Sequence, residues 1–226
     1  MDRTFSLLDS LALGDLHVFL GRAQRVRDGA VRLIADSGVL AVYIAVLHPI
    51  GLLDESPTVL GLRTFAVDRD DSFDVVVPVA SLLARVESRL EPATAEVGEP
   101  VTVTLPTEVA TVTWTAISPP RGRWQQLGSA QTALLEAAAR DGIQAVASMV
   151  PDAVGELAVQ RVRTEVWGRE MEGVEHLPAG AAFAALALGF LGEEESAIVY
   201  ESGSWLRLTT RRGHVLVKRR GWSLAR

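Results

Sequence analysis

Residues 197–220 of the chain read AIVYESGSWLRLTTRRGHVLVKRR. Apolar and polar side chains alternate along three runs of this stretch, and the dipeptides Ser202-Gly203 and Arg212-Gly213 separate the runs. A period of two is typical of a strand with one buried face, and a two-residue turn with glycine second is typical of a type I′ hairpin. The stretch therefore predicts a C-terminal, three-stranded antiparallel meander.

Two type I′ turns would also fix the register of this meander. Tyr200 would lie opposite Trp205, Trp205 opposite Arg220, and Arg207 opposite Lys218. One face of the sheet would be apolar and would cover helices, with Ala197, Val199, Leu206, Leu208, Val215 and Val217. The opposite face, here called the meander face, would carry Tyr200, Trp205, Arg207, Arg211, His214, Lys218 and Arg220.

Charge is distributed unevenly along the chain. Residues 202–226 contain seven basic residues and no carboxylate, whereas the remainder contains 15 basic and 28 acidic residues. Such segregation indicates that an opposite charge lies against the basic segment, either on a partner or elsewhere in the same chain. Two cations directly opposite each other on a sheet cost roughly 0.2–1 kcal/mol, so the predicted pairing of Arg207 with Lys218 strengthens this expectation.

Two interpretations of the meander face remain open. It could bind an acidic or phosphate-bearing partner, because aromatic rings can stack on bases while guanidinium groups bind phosphates. The binding residues would then be Tyr200, Trp205, Arg207, Arg211, Lys218 and Arg220. Alternatively, the basic residues keep a sheet edge soluble and unpaired, or the run Glu193-Glu194-Glu195 neutralises them within the chain.

A mainly helical region is predicted before the meander. Ser129 is a candidate N-cap for a helix over 130–140, which continues over 143–150. A second helix is predicted from 152 to about 167. The third covers the apolar run 179–191, which should form the buried centre of this region.

The segment Pro119-Pro-Arg-Gly-Arg123 is the predicted boundary between two domains. Proline lacks an amide hydrogen and restricts the residue before it, so regular structure should end near Ser118 and restart after Trp124. The predicted domains are therefore residues 1–118 and 124–226. Four tryptophans are interpreted as core or domain-interface packing rather than as a ligand cage: Trp114, Trp124, Trp167 and Trp222.

The first of these domains contains an internal repeat of strand, helix and antiparallel strands. The first copy is predicted as strand 3–8, a helix from Gly14, strands 30–35 and 39–47 around the turn Asp36-Ser37-Gly38, and strand 59–67. The second copy is predicted as strand 73–77, helix 79–90, and strands 101–105 and 109–117. Phe5 and Phe73 occupy equivalent places in the two copies. The fold class is therefore α+β, with a duplicated unit followed by a mainly helical domain that ends in the meander.

The order of elements over residues 3–117 resembles one domain of the DNA sliding clamps, in which two such halves form a sheet that carries two adjacent helices. The resemblance implies that the two helices face nucleic acid. Candidate contacts are Arg22, Arg25 and Arg27 on the first helix and Arg85 and Arg89 on the second. The chain departs from a ring-forming clamp because one such domain is present, residues 1–118 contain 9 basic and 16 acidic residues, and Asp15, Asp28 and Glu87 dilute the helix charge.

The sequence predicts neither a metal ion nor a cofactor. It has no cysteine, and its four histidines, His17, His48, His176 and His214, are dispersed outside any metal-binding spacing. The acidic turn Asp68–Asp71 is interpreted as solvated, and no catalytic motif commits the chain to a reaction. The N-terminus lacks the pattern of a signal peptide, and the apolar run 179–191 is too short to cross a bilayer, so we expect a soluble, cytoplasmic protein.

Three functions follow from these features. The first is a non-enzymatic interaction protein whose basic meander contacts an acidic partner. The second is a DNA- or RNA-associated clamp-like protein. The third is an enzyme whose site forms only when the chain folds.

Overall fold

The computed structural model describes residues 3–26, 29–51, 54, 56–90, 98–110, 112–150, 155–174, 176–192 and 196–219. Its strands are β1 (Thr4–Leu7), β2 (Ala30–Asp36), β3 (Val39–Leu47), β4 (Thr58–Ala66), β5 (Phe73–Pro78), β6 (Val101–Thr104), β7 (Gln125–Gln131), β8 (Ser196–Ser202), β9 (Trp205–Thr210) and β10 (Gly213–Lys218). Its helices are α1 (Ser10–Val26), α2 (Val79–Leu90), α3 (Thr132–Met149), α4 (Glu156–Gly168) and α5 (Ala179–Ala187), with a 3-10 turn over Thr113–Ala116. The α+β fold class and the C-terminal antiparallel meander are confirmed.

The chain divides into two compact units. The N-terminal unit consists of Met1–Ile44 and Leu62–Ala116, and the C-terminal unit consists of Ala45–Gly61 and Ile117–Arg226. Strands β3 and β4 therefore each contribute residues to both units. The sequence contains no signal that assigns 45–61 to the C-terminal unit, and domain limits at 1–118 and 124–226 remain a prediction.

In the N-terminal unit, the strands β5, β2, β3 and β4 are successive neighbours, and β1 pairs with β6 in a separate ladder. The predicted turn between β2 and β3 is confirmed, since Asp36 pairs with Val39 across Ser37 and Gly38, which have φ angles of 54° and 84°. Positive φ at both central positions defines a type I′ turn. Phe5 is fully buried, and its ring lies 6.2 Å from that of Phe73, so the equivalent residues of the two copies meet in one core.

The predicted strand 109–117 is wrong. Val109 donates one backbone hydrogen bond to Val76 on β5, but residues 113–116 form a 3-10 turn instead of a strand. The backbone nitrogen and the hydroxyl of Thr115 both donate to the carbonyl oxygen of Val112, at 3.2 and 2.7 Å. These local bonds satisfy the turn and bury Trp114, which outweighs the strand preference of the β-branched residues around it.

In the C-terminal unit, β10, β9, β8 and β7 are successive neighbours, and α5 packs against α3, α4 and β10. Ser129 is not an N-cap, because it lies within β7 and pairs with Ile198 on β8. Helix α3 begins at Thr132, and no side chain caps its N-terminus. The third predicted helix ends earlier than expected: α5 stops at Ala187, and Gly189 has a φ of 75°.

The predicted register of the meander is wrong by two residues at both turns. Tyr200 pairs with Arg207, Arg207 pairs with Leu216, and Trp205 pairs with Lys218, so Arg207 and Lys218 are not opposed. The first turn is Gly203-Ser204, with a φ of 57° at Gly203 and no positive φ at Ser204. Glycine in the first position is the type II′ arrangement, not the type I′ arrangement that the sequence pattern suggested.

Gly213 was also misassigned to a turn. It is the first residue of β10, and a Cβ atom at this position would lie 2.5 Å from the ring of Phe190. The glycine is therefore required by packing. Because both errors equal two residues, every side chain keeps its predicted face, and the apolar face is confirmed: its six predicted residues are at most 3% exposed.

Candidate anion-binding surfaces

The guanidinium of Arg207 contacts two aromatic rings on the meander face. Its central carbon is 4.6 Å from the ring centroid of Trp124 and 4.6 Å from that of Tyr200. Tyr200 is the cross-strand partner of Arg207 on β8, and Trp124 immediately precedes β7. Cation–π contact with two rings restrains the guanidinium, whose N–H groups can still donate hydrogen bonds in its plane.

Arg207 is a desolvated cation without a described counter-ion. Its Nε atom is buried and has no hydrogen-bond partner in the described part of the chain. Burial lowers the pKa of Arg207, and the nearby Tyr200 acts in the opposite direction. The side chain still remains a cation near neutral pH, because arginine starts from a very high pKa.

The structure does not place all of the predicted site residues on an open surface. Trp205 is only 5% exposed and cannot stack on a base. Arg211 is exposed in the turn between β9 and β10, Lys218 is half-buried opposite Trp205, and Arg220 lies outside the described residues. The predicted site therefore reduces to Arg207, Tyr200 and Lys218, with Arg211 nearby in sequence.

His214 also lies on the meander face, opposite Thr209. One of its ring nitrogens, Nδ1, is 3.1 Å from the Thr209 hydroxyl. Burial lowers the pKa of His214, and the charge of Arg207 lowers it further. The imidazole is therefore neutral at neutral pH, so His214 adds no full positive charge beside Arg207.

Part of the basic charge is neutralised within the unit, by a residue that the sequence analysis did not consider. The Nη2 atom of Arg219 lies 2.5 Å from a carboxylate oxygen of Glu201. Arg212 donates to the carbonyl oxygen of Leu191. The predicted neutralising run, Glu193 to Glu195, lies outside the described residues.

A groove lies at the turn end of the β8–β9 hairpin, and we call it the hairpin groove. Its volume is about 740 Å³, and its lining includes Pro120, Arg123, Gln125, Glu201, Ser204 and Trp205. The indole Nε1 of Trp124 donates to the carbonyl oxygen of Pro120 at 3.2 Å, which ties the groove wall to the ring that covers Arg207. Arg123 has a φ of 61°, an uncommon conformation for a non-glycine residue.

Trp124 is the functional candidate that sequence reasoning missed. It was assigned to packing, and its partner Arg207 lies on a strand that begins 81 residues later. The one local signal of a functional role was its position. Trp124 directly follows the constrained loop Pro119-Pro-Arg-Gly-Arg123 and directly precedes an edge strand.

The second candidate surface is the outward side of α1 and α2, which we call the helix-pair face. Its described ionisable residues are Asp15, His17, Arg22, Arg25, Arg85, Glu87 and Arg89. His17 Nε2 lies 3.2 Å from the Glu87 carboxylate, and Asp15 accepts from Arg63 at 2.7 Å. Within the described ranges, Arg22, Arg25, Arg85 and Arg89 make no ion pair, and the predicted contact Arg27 lies outside those ranges.

Two other properties concern the same described residues. No three or more histidine, aspartate or glutamate side chains gather there in a way that could hold a metal ion. No helix among them is both long and apolar enough to span a bilayer.

Two family models match the chain in sequence. Residues 1–108 match a domain of unknown function (DUF8010), and residues 119–222 match a second one (DUF8185). No curated protein matches the chain.

Solved structures of bacterial sliding clamps are similar to the chain in fold. The DNA polymerase sliding clamp of Caulobacter crescentus aligns with a TM-score of 0.51 and 12% identity, over 95% of this chain and 65% of that one. The DnaN sliding clamp of Bartonella birtlesii aligns with a TM-score of 0.50 and 12% identity, over 95% of this chain and 64% of that one. The chain thus spans slightly less than two thirds of these clamps, and the resemblance suggested by residues 3–117 is confirmed as a sliding-clamp-like fold that extends over nearly the whole chain.

Proposed function

We propose that the protein is a non-enzymatic, clamp-fold protein that binds the phosphate backbone of nucleic acid through the helix-pair face. The observation that carries this proposal is an excess of arginine over the described acidic residues of that face. Asp15 is paired with Arg63, Glu87 lies 3.2 Å from the Nε2 atom of His17, and four arginines make no described ion pair. The sliding-clamp-like fold supports the proposal, because the resemblance implies that paired helices face nucleic acid.

The four arginines suit the phosphate backbone better than base edges. Arg25, Arg85 and Arg89 are exposed and project from helices without aromatic residues to orient them. Long, mobile cations of this kind contact phosphates without reading sequence. Four phosphate contacts give a slope of log affinity against log salt concentration of about −3.6 on duplex DNA.

The test is a salt titration of binding to a labelled DNA duplex of mixed sequence. In one variant, Arg22, Arg25, Arg85 and Arg89 are all replaced by glutamine; in the control variant, Arg3, Arg140, Arg161 and Arg169 are replaced. Both variants lose four positive charges, but only the first loses the helix-pair face. We expect the first to lose nearly all of the salt slope and the control to keep most of it. Absence of wild-type binding at about 0.05 M salt, or equal weakening in both variants, would refute the proposal.

The second candidate function is contact between the meander face and an acidic partner protein, and the stacked Arg207 favours it. Of the predicted site residues, this surface would use Tyr200, Arg207 and Lys218, with Arg211 and Arg220 nearby in sequence, in a C-terminal domain over 124–226 of a cytoplasmic protein. Because Glu201 already neutralises Arg219, the remaining described charge is compact. A compact patch suits a carboxylate better than it suits a duplex.

No comparable observation favours an enzyme. The hairpin groove has one carboxylate in its lining, Glu201, and that carboxylate is bound by Arg219. A general base or nucleophile needs a free group within reach of a substrate, and Glu201 is not free.

A further inference from the structure

We infer that the Trp124–Arg207–Tyr200 stack is a receptor for one carboxylate of an acidic peptide segment, and that the hairpin groove holds the peptide next to that carboxylate. The inference rests on the second candidate function and names its binding site and ligand class. It is independent of nucleic-acid binding by the helix-pair face, which lies in the other compact unit.

The first argument is that the Arg207 side chain has an unsatisfied hydrogen-bond donor, which costs free energy that a ligand could recover. Arg207 is half-buried, and a buried guanidinium nitrogen is normally hydrogen-bonded to a carboxylate or another acceptor. Here Nε is buried without an acceptor, and neither terminal nitrogen donates to a group among the described residues. A carboxylate that accepts from the terminal nitrogens would supply the missing counter-charge.

The second argument is geometric. Two rings already contact the guanidinium at 4.6 Å, so it is a poor platform for a further base or ring. The N–H edge of its fork matches the two oxygens of a carboxylate. Fixing the side chain before binding also reduces the entropy lost when the ligand arrives.

The third argument concerns charge and excludes a long polyanion. Among the described strand residues of the meander face, Lys218 is the one full positive charge besides Arg207. His214 on the same face is neutral, because burial and the charge of Arg207 lower its pKa. In the wall of the hairpin groove, Glu201 is paired with Arg219, so these two charges cancel and Arg123 is the remaining charged residue of the lining. The described cations are therefore few, which suits an isolated carboxylate of a peptide better than a phosphate chain.

The fourth argument concerns the hairpin groove beside the stack. Gln125 and Ser204 in its lining offer neutral donors and acceptors that suit a peptide backbone. The hydrogen bond from Trp124 to Pro120 joins this wall to the stack. The positive φ of Arg123 in the same wall is a strained conformation of the kind that clusters at binding sites.

The test uses the full-length protein and a short Gly/Ser peptide with a single central glutamate, blocked at both ends. Binding is followed by the NMR signal of the Trp124 indole. Matched probes are the same peptide with glutamine, the same peptide with phosphoserine, and inorganic phosphate. We expect a saturable shift with the glutamate peptide and at least tenfold weaker binding of the glutamine peptide.

Variants separate the receptor from a general effect of charge. R207K keeps the charge but loses the fork, and we expect it to weaken glutamate-peptide binding about tenfold, whereas R212K, on a neighbouring turn, should not. A thermal melt checks that R207K remains folded. The W124F variant keeps a ring beside Arg207 and should retain most of the affinity for the glutamate peptide. Because this variant lacks the indole, its binding is measured from the chemical shifts of labelled arginine side chains.

Three results would overturn the inference: no saturable shift with the glutamate peptide, equal binding of the glutamate and glutamine peptides, or tighter binding of phosphate or of the phosphoserine peptide. The same R207K sample should bind DNA with the wild-type salt slope. Failure of the peptide arm with intact DNA binding would therefore reject this site alone, and the reverse would reject the function proposed for the helix-pair face.

Discussion

The helix-pair face and the meander face both depend on arginine, but they hold it in opposite ways. On the helix-pair face, Arg25, Arg85 and Arg89 are exposed and no ring restrains them. On the meander face, the guanidinium of Arg207 contacts the rings of both Trp124 and Tyr200. The first arrangement creates a diffuse positive field, and the second creates a directional receptor.

The carboxylates near each surface sharpen this difference. Asp15 is paired with Arg63 and the four helix arginines outnumber the described carboxylates, whereas Glu201 binds Arg219 and reduces the charge available near the meander. The chain is most basic at its C-terminus in sequence, yet that region offers the more selective surface. Local pairing, not the count of charges along the chain, decides what each surface can bind.

The largest effect expected is on the support of the meander. In G213V, the new side chain meets the Phe190 ring, which lies 2.5 Å from the position of its Cβ atom. We expect a loss of about 2–3 kcal/mol in the free energy of unfolding, measured by denaturant titration, because overpacking forces Phe190 or β10 to move.

The control for this substitution is G128V in β7, where a Cβ atom meets nothing within 4 Å. It should change stability by no more than about 0.5 kcal/mol. If G213V lowers the free energy of unfolding as little as G128V does, packing against Phe190 does not set the position of β10. The meander would then be no more rigid than the helix-pair face.

How far the sequence predicted the two surfaces follows from what each depends on. Helices α1 and α2 were predicted from their apolar period of 3.6 residues. Both faces of the meander were predicted because a strand has a period of two, so a register error of two residues leaves every side chain on its face. Gly213 was misread because glycine marks both turns and close packing, and Gly203 was misread because glycine occupies the first position of one hairpin turn and the second position of another. Trp124 was missed because its role depends on a strand far along the chain.

The second prediction concerns the ring that distinguishes the meander face. W124A removes one stacking partner of Arg207 and the hydrogen bond to Pro120. We expect a loss of about 1–2 kcal/mol in the free energy of unfolding, since a cation–π contact and a neutral hydrogen bond each contribute about 1 kcal/mol. In W124F, which keeps a ring but loses the hydrogen bond, the loss should be about half as large. Equal losses would show that the ring does not hold Arg207.

The third prediction tests strain beside the stack. Arg123 has a φ of 61°, a region that glycine enters without steric cost. R123G should therefore raise the free energy of unfolding by about 0.5–1 kcal/mol, measured by thermal or denaturant unfolding. The neighbouring R121G, at a position without a positive φ, should lower it by a few tenths of a kcal/mol. A loss of stability in R123G would indicate that the side chain contributes more than the strain removes.

The smallest effect expected is a pH dependence of stability that comes from the meander face. Burial, aided by Arg207, lowers the pKa of His214 in the folded state below its ordinary value of 6.5. The unfolded chain then binds the proton more readily, so this contribution to stability is complete above about pH 6.5 and is lost as the pH falls through the folded pKa. Unfolding titrations from about pH 7.5 to pH 5 should show a shallower decline in H214Q than in the wild type.

The exposed His176 provides the control for this pH dependence. H176Q removes an imidazole that is 57% exposed, and it should leave the decline unchanged. If H214Q and the wild type lose stability in parallel, Arg207 and His214 do not share a desolvated environment, and the contrast with the helix-pair face weakens.

The discontinuity of the C-terminal unit has a consequence for synthesis on the ribosome. Ala45–Gly61 belongs to that unit, but the rest of the unit is translated only from Ile117 onward. Apolar residues that are buried in the folded protein, including Val46, Leu47 and Val59, therefore lack their later packing partners until the intervening chain has been synthesised. At about 5–20 residues per second, this interval lasts several seconds, which is long enough for chaperones or neighbouring nascent chains to bind the waiting segment.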